Sequence, residues 1–431
     1  MRGIIVMSQQ QIGKSYAWLV WSLAAISFGY AFFHRVTPSV MVSDLMADFA
    51  VSGAVLGTLS ALYFYPYVLL QVPLGAMLET FGTRILLSGF LLLAGLGSIL
   101  FAKATSIEIA YLGRLLIGFG ASVGFLGSLA LASKWFPPQR FAFLAGLAMF
   151  AGMTSGMMGQ APLAFLVDRY GWRDNILALG IAGFILSFLV FLFVRNQPAI
   201  RKSPQSETAA SFQKWRDLGS ALNAVLRNGN VWKISLVAAT MSGPMLVIGG
   251  LWGTPYLMVT FELPRPEAAF FMSLLLLGWA VGAPFSGWLS DHIGRRKPIL
   301  VTGLVVICIM LAVFTGISDL PLGAVVVCLV VIGLSGGGMT ACFGLVKDVM
   351  PTRLAGASTG VVNSMTVASG AILQPFVGLA LDLQWEGRLV DGARHYAEGD
   401  YRTAFTLVLV AAVIGLVTAL SLREMPRGHA Q

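Results

Sequence analysis

Apolar stretches of spanning length alternate with short polar or charged loops along almost the whole chain. They fall at 18–46, 53–78, 84–103, 107–132, 141–167, 173–194, 231–259, 266–290, 298–317, 321–346, 354–381 and 402–422. A helix rises about 1.5 Å per residue, so each can cross an apolar slab of about 30 Å. The pattern therefore predicts an all-α membrane protein with twelve transmembrane helices. One long polar interruption, Arg195 to Asn230, begins rich in Pro, Ser and Lys. It ends with Phe212, Trp215, Leu218, Leu222 and Val225 at helical spacing, with Ser211 as an N-cap and Lys214, Arg216 and Arg227 beside the stripe. An amphipathic helix on the inner membrane surface is expected there. It makes 195–230 a cytoplasmic linker between an N-terminal half, 1–194, and a C-terminal half, 231–431.

Composition agrees with a membrane protein. The 431 residues are 57% hydrophobic and 11% charged, with a mean hydropathy of +0.81, which excludes an ordinary soluble domain. The opening Met1–Met7 is too short an apolar run for a signal peptide and reads as a cytoplasmic tail. With both termini inside, inner loops and tails hold 19 Lys and Arg and outer loops 7, while Arg35 and Arg114 complete the 28. This bias sets the orientation in the inner membrane and explains the basic balance without nucleic acid. Cys308, Cys328 and Cys342 all lie in apolar segments and read as core residues rather than a disulfide framework or metal cluster. No cofactor, metal or enzymatic activity is expected.

The two halves repeat one another. Gly146, Gly156, Gln160 and Asp168 recur as Gly360, Gly370, Gln374 and Asp382, all at an offset of 214. Thr37-Pro38-Ser39-Val40-Met41 recurs as Thr254-Pro255-Tyr256-Leu257-Met258 at an offset of 217, which equates segments 1 and 7. Gly75, Glu79, Gly82 and Arg84 recur as Gly287, Asp291, Gly294 and Arg296 at an offset of 212, which equates segments 2 and 8. Offsets this close, in chain order, mark a duplicated six-helix unit.

The last of these repeats has the form Gly-x-x-x-acid-x-x-Gly-x-Arg and resembles the signature loop of the major facilitator superfamily. The twelve segments, long central loop and six-plus-six repeat extend the resemblance over nearly the whole chain. It implies the major facilitator fold, two pseudo-symmetric six-helix halves, in a monomer. It also implies that Glu79 and Asp291 form a cytoplasmic latch between the halves, with Gly75, Gly82, Arg84, Gly287, Gly294 and Arg296 as its frame. The first copy departs by having Glu for the usual Asp and a single basic residue. Gly113-Arg114-Leu115-Leu116-Ile117-Gly118 resembles the family's arginine-bearing fourth helix, where Arg114 is read either as a coupling residue or as a structural arginine bonded to helix carbonyls.

Segment 1 carries the remaining chemistry. His34 and Arg35 lie inside an otherwise apolar run, and an arginine at mid-bilayer costs about 2.5–3.5 kcal/mol on insertion scales, so it is expected to face protein or a wet cavity. No Asp or Glu lies deep in any segment. Cations without a buried carboxylate point to a solute that brings negative charge itself. Arg35, with Gly29-Tyr30 before it, resembles the first-helix arginine of the sugar-phosphate and organic-anion branch of the superfamily. The phosphate carriers of that branch use a second arginine in segment 7, whereas the repeat puts Trp252 opposite Arg35. This points away from a phosphate dianion and toward a carboxylate or amino acid. The bland alternative pairs His34 and Arg35 with loop acids such as Asp44.

Tyr63, Tyr67 and Gln71 share one face of segment 2, and Asn363, Ser364 and Gln374 make segment 11 polar enough to line a cavity. Tyr30, His34, Arg35, Tyr67, Trp252 and Asn363 are the candidate solute contacts. The expected function is secondary transport of a small organic anion, with His34 carrying a proton or a second anion exchanging. The alternatives are efflux of amphipathic compounds, against which the lack of a Gly-Pro pair in segment 5 speaks, and a non-transporting membrane sensor on the same fold.

Overall fold

The computed structural model describes residues 2–197, 219–351 and 354–424. Among them twelve helices are long and apolar enough to cross a membrane. They are α1 (Ser15–Val40), α2 (Gly53–Leu70), α3 (Thr83–Ala102), α4 (Ile107–Trp135), α5 (Pro138–Tyr170), α6 (Trp172–Phe193), α7 (Gly229–Thr260), α8 (Arg265–Ile293), α9 (Lys297–Gly316), α10 (Leu322–Val349), α11 (Ala355–Gln384) and α12 (Glu398–Leu420). Helices close their backbone hydrogen bonds internally, which lipid demands of a spanning segment. The apolar window of α7 is 94% buried in protein, whereas those of α6 and α12 are 33% buried, so α7 runs through the centre and the other two face lipid.

Segment 1 was expected to run unbroken to residue 46, and here the structure differs. Its α-helix stops at Val36, passes through a 3-10 turn over Thr37–Val40 and restarts as a separate short helix, Val42–Phe49. Pro38 is the physical reason, because it lacks the N–H that would continue the ladder. The repeated proline, Pro255, likewise sits in the first turn of a new helical stretch, Gly253–Thr260. Before it, α7 widens into a π-helix over Met245–Trp252, directly after Pro244. Of the amphipathic linker helix, residues 219–226 are helical with Val225 buried and Leu222 packed against the core. Ser211, Phe212, Lys214, Trp215, Arg216 and Leu218 lie outside the described residues.

Two faces can be told apart. One carries the two signature loops, where Gly82 (φ 81°) and Gly294 (φ 72°) take the left-handed backbone their turns require. The other carries a β-hairpin between α11 and α12, in which β1 (Leu389–Val390) pairs antiparallel with β2 (Ala393–Arg394). Asp391 (φ 51°) and Gly392 (φ 82°) form its two-residue turn, the geometry favoured between twisted strands. The hairpin lies on Val42–Phe49, where a Cβ added to Gly392 would stand 3.6 Å from the Ala47 side chain. The first and last six helices meet at this hairpin face, and α2 follows α11 down to Val68 and Val72. Beyond them Pro73–Thr80 packs on α3 and α4 of its own set, and Thr340–Val349 on α7, α8, α9 and α11 of its own.

Candidate solute site and gating contacts

Successive residues of α1 point about 100° apart, and this divides its polar cluster in two. Tyr30 and His34, four apart, stack edge to face at 4.6 Å and look into the first six helices. The Tyr30 hydroxyl donates to the Leu179 carbonyl of α6 at 3.0 Å, and His34 Nε2 lies 3.5 Å from Ser98 Oγ of α3. Arg35 turns instead toward α2. Its guanidinium lies 4.6 Å from the Phe32 ring, 5.9 Å from Tyr63 and 5.2 Å from Tyr67. Arg114 of α4 approaches Tyr63 from another direction at 5.3 Å and donates to the His34 carbonyl at 3.1 Å. Tyr63, whose hydroxyl is tied to the Ala31 carbonyl at 2.7 Å, is thus shared by two cations.

Both arginines are buried, yet among the described residues no carboxylate pairs with either. Asp44, the acid nearest in sequence, is held by Arg265 of α8 at 2.7 Å. A desolvated charge costs several kcal/mol unless compensated. Aromatic faces return about 0.5–2 kcal/mol each, which leaves a positive surplus. Polar atoms here are also unmatched: among the described residues, Arg35 Nε of α1 and, in the chain's second segment, Ser60 Oγ and Gln71 Oε1 are buried without hydrogen-bond partners. Such groups are normally satisfied by water or a ligand. His34 Nδ1 and Arg114 Nε and Nη2 share this condition deeper in the first set.

Among the described residues the second set brings no charged side chain to this cluster. Trp252 is fully buried and donates to the Gln374 carbonyl at 3.1 Å. Asn363 is half-buried, next to Ser364, whose hydroxyl donates to the Val68 carbonyl across the contact with α2 at 3.1 Å. The geometry therefore groups Arg35 with Tyr67, and Tyr30 with His34 and Arg114, while Trp252 is held within its own set.

The π-helical stretch of α7 draws in the two repeated glutamines, which the sequence marked only as a repeat. Gln160 Nε2 donates to the Gly249 carbonyl at 2.8 Å from the first set, and Gln374 Nε2 to the Leu246 carbonyl at 2.7 Å from the second. The Ser39 hydroxyl donates to Gln160 Oε1 at 3.2 Å, which links α1, α5 and α7.

At the signature loops the arginines work inside their own sets. Arg84 Nε donates to the Phe191 carbonyl at 2.7 Å, and its backbone N–H donates to Asn196 at 2.9 Å. Arg296 reaches Asp348 at 2.6 Å, and its backbone N–H donates to Glu424. Glu79 and Asp291 are exposed, with Asp291 3.9 Å from Arg296. A Cβ added to Gly75 or Gly287 would meet no atom of the described residues within 4 Å.

Twelve spanning helices in two repeated sets, with a central polar cluster, define a membrane carrier, and sequence comparison gives its family. The sequence model of the Major Facilitator Superfamily matches residues 13–375, and the chain belongs to that superfamily. It is similar to a protein of Agrobacterium vitis proposed to transport tartrate, at 24% identity over 91% of this chain and 87% of that one. It is also similar to the 4-hydroxybenzoate transporter of Pseudomonas aeruginosa, at 24% identity over 84% of this chain and 86% of that one. A solved bacterial homologue of the human lysosomal transporter Spinster, inward-facing and unoccupied, superposes with a TM-score of 0.74 at 18% identity. That match covers 95% of this chain and 99% of the other, and shows the shared fold. The protein is a multi-pass membrane transporter.

Proposed function

We propose that this transporter moves a small organic anion, a carboxylate, across the inner membrane by alternating access, with Arg35 as the group that takes its charge. One observation carries the reading: Arg35 is buried among aromatic rings with no carboxylate paired to it among the described residues, while Asp44 is committed to Arg265. A guanidinium offers a planar fork matched to a carboxylate, and an arriving anion neutralises a charge already stripped of water. The names of the tartrate and 4-hydroxybenzoate relatives support the same class. Tyr67 and Asn363, on facing helices α2 and α11, complete the site, and Trp252 walls its far side. The Lys and Arg bias puts the signature loops and both termini in the cytoplasm. The carrier, a monomer, is then closed outside and open inward. His34 carries a co-transported proton, or a second anion is exchanged.

The test is a thermal-shift screen of mono- and dicarboxylates on the purified protein, followed by uptake of the best hit into proteoliposomes. Arg35→Ala is expected to weaken binding by about 100-fold, the worth of a charge-assisted pair in a desolvated site, while folding survives. Arg35→Lys should recover little of it. Full-rate transport by Arg35→Ala would return this arginine to a structural role.

A second reading, efflux of amphipathic compounds, is favoured by a groove of about 770 Å³ between α1, α5 and α6, lined by Trp21, Ile26, Phe33, Phe150 and Ile185. Uptake of an amphipathic cation dye by the same proteoliposomes, undiminished in Arg35→Ala, would select it.

A further inference from the structure

The hairpin face is shut by two carboxylates at the same repeat position. Asp168 lies near the end of α5 and Asp382 near the end of α11, 214 residues apart, and each reaches across to the other set. Asp382 accepts hydrogen bonds from the backbone N–H groups of Gly53 and Ala54 at 2.9 and 2.8 Å, where α2 begins. It also takes the Tyr396 hydroxyl at 2.6 Å and the Arg394 guanidinium at 3.1 Å, both from the hairpin loop. Asp168 forms an ion pair with Arg265 at 3.2 Å, and Arg265 opens α8 at the position 212 residues after Gly53, the offset that relates α2 to α8. One copy thus binds the bare N-terminus of a helix, and the other binds a cation standing at the equivalent place.

We infer that this repeat-related pair is the lock of the hairpin-face gate, and that Asp382 is its stronger member. Negative charge at a helix N-terminus meets unpaired N–H groups and the positive end of the dipole. The Asp382 side chain is only 12% exposed and has four donors, whereas Asp168 is 43% exposed and shares Arg265 with Asp44. Loss of Asp168 leaves Arg265 still held by Asp44, while loss of Asp382 strands the Ala54 N–H and leaves the Gly53 N–H with the Tyr396 hydroxyl alone, at 3.0 Å. The helices touch closely enough for this reach because Gly53 and Gly57 face α11: a Cβ on Gly57 would stand 2.6 Å from the Gln374 carbonyl oxygen. The lock rests on the alternating-access reading above, since it must release when the carrier opens to this side.

The test uses the full chain in lipid nanodiscs without solute, with Cys308, Cys328 and Cys342 replaced by Ala. Spin labels at Thr105→Cys and Ile317→Cys report the distance between the two sets at this face. Asp382→Asn should raise the long-distance population about tenfold, as expected for losing bonds to a charged acceptor, and Asp168→Asn about threefold. Gly57→Val, which removes no charge, should raise the same population by wedging the crossing apart. Should Asp382→Asn fold poorly, Tyr396→Phe with Arg394→Gln lightens the lock and should open it in the same direction. Unchanged distances in the carboxylate variants, or a larger response from Asp168→Asn, would overturn the proposal. No solute is present, so that outcome sinks the lock alone; undiminished carboxylate binding by Arg35→Ala sinks the substrate class alone.

Discussion

α1 and α7 descend from one repeated helix, yet they use their centres in opposite ways. α1 keeps regular α-helical winding as far as Val36 and carries His34 and Arg35. α7 carries no charge there, and winds as a π-helix whose Leu246 and Gly249 carbonyls accept side-chain donors from α11 and α5. The first set therefore holds charge on a stiff support, and the second offers a backbone that can be rewound. On the proposed role of Arg35, the duplicated fold separates recognition from movement, with the cation in one copy and an aromatic residue, Trp252, at the matching place in the other.

The sharpest way to break this contrast is to remove Trp252, the counterpart of Arg35. Trp252→Ala should cost about 3–5 kcal/mol of stability, because a large, fully buried ring leaves a cavity. Thermal melting in detergent would register it as a loss of folded protein. Arg35→Ala should show the reverse, a near-parental melting temperature with binding weakened about 100-fold. If Arg35→Ala melts as early as Trp252→Ala, the first set's cluster is structural and the contrast fails.

The two glutamines give an intermediate effect. Gln160→Leu and Gln374→Leu each remove a buried hydrogen bond to a carbonyl of the π-helix, at about 0.5–1.5 kcal/mol. Gln160 crosses between the sets, so its loss should change which face admits a membrane-impermeant thiol reagent. Gln374 bonds within its own set, so its loss should lower the melting temperature without changing access. Equal access changes in both would show that the π-helix answers to either partner alike.

The smallest effect belongs to the signature loops. Glu79→Gln and Asp291→Asn should each shift access toward the signature-loop side by about two- to fivefold, as expected for a charge at a helix end. Asp291→Asn should give the larger change, because its loop has two arginines and the first copy has one. Cysteine accessibility from each side measures this, and no shift in either variant ends the latch role.

The twelve spans were legible because lipid imposes their length and polarity on the sequence directly. Segment 1 was read too long because Val42, Leu45 and Met46, buried against protein beyond Pro38, are as apolar as a span. The cations were legible as a type of residue, but their division was not: that Arg35 turns to Tyr67 while Arg114 holds the His34 carbonyl depends on how α2 and α4 cross α1. The π-helix was hidden, since Pro244 marks a break while the donors that fill it come from Gln160 and Gln374, far away in the chain. The hairpin had a signal in Asp391-Gly392, but strands of two residues show no alternation to read. Asp382 was visible as a repeat, whereas its partner at Gly53 is a backbone N–H and leaves no mark in the sequence.

The contact between Gly53 and Asp382 joins residues 329 apart in the chain. Ribosomes add about 5–20 residues per second, so the start of α2 waits roughly 15–65 s for its acceptor to be made. Until α11 has been inserted, those N–H groups must be met by headgroups, water or the insertion machinery. The gate is in this sense a late product of synthesis: a chain stalled before residue 382 can hold Arg265 against Asp168 and Asp44 but lacks the stronger half of its lock.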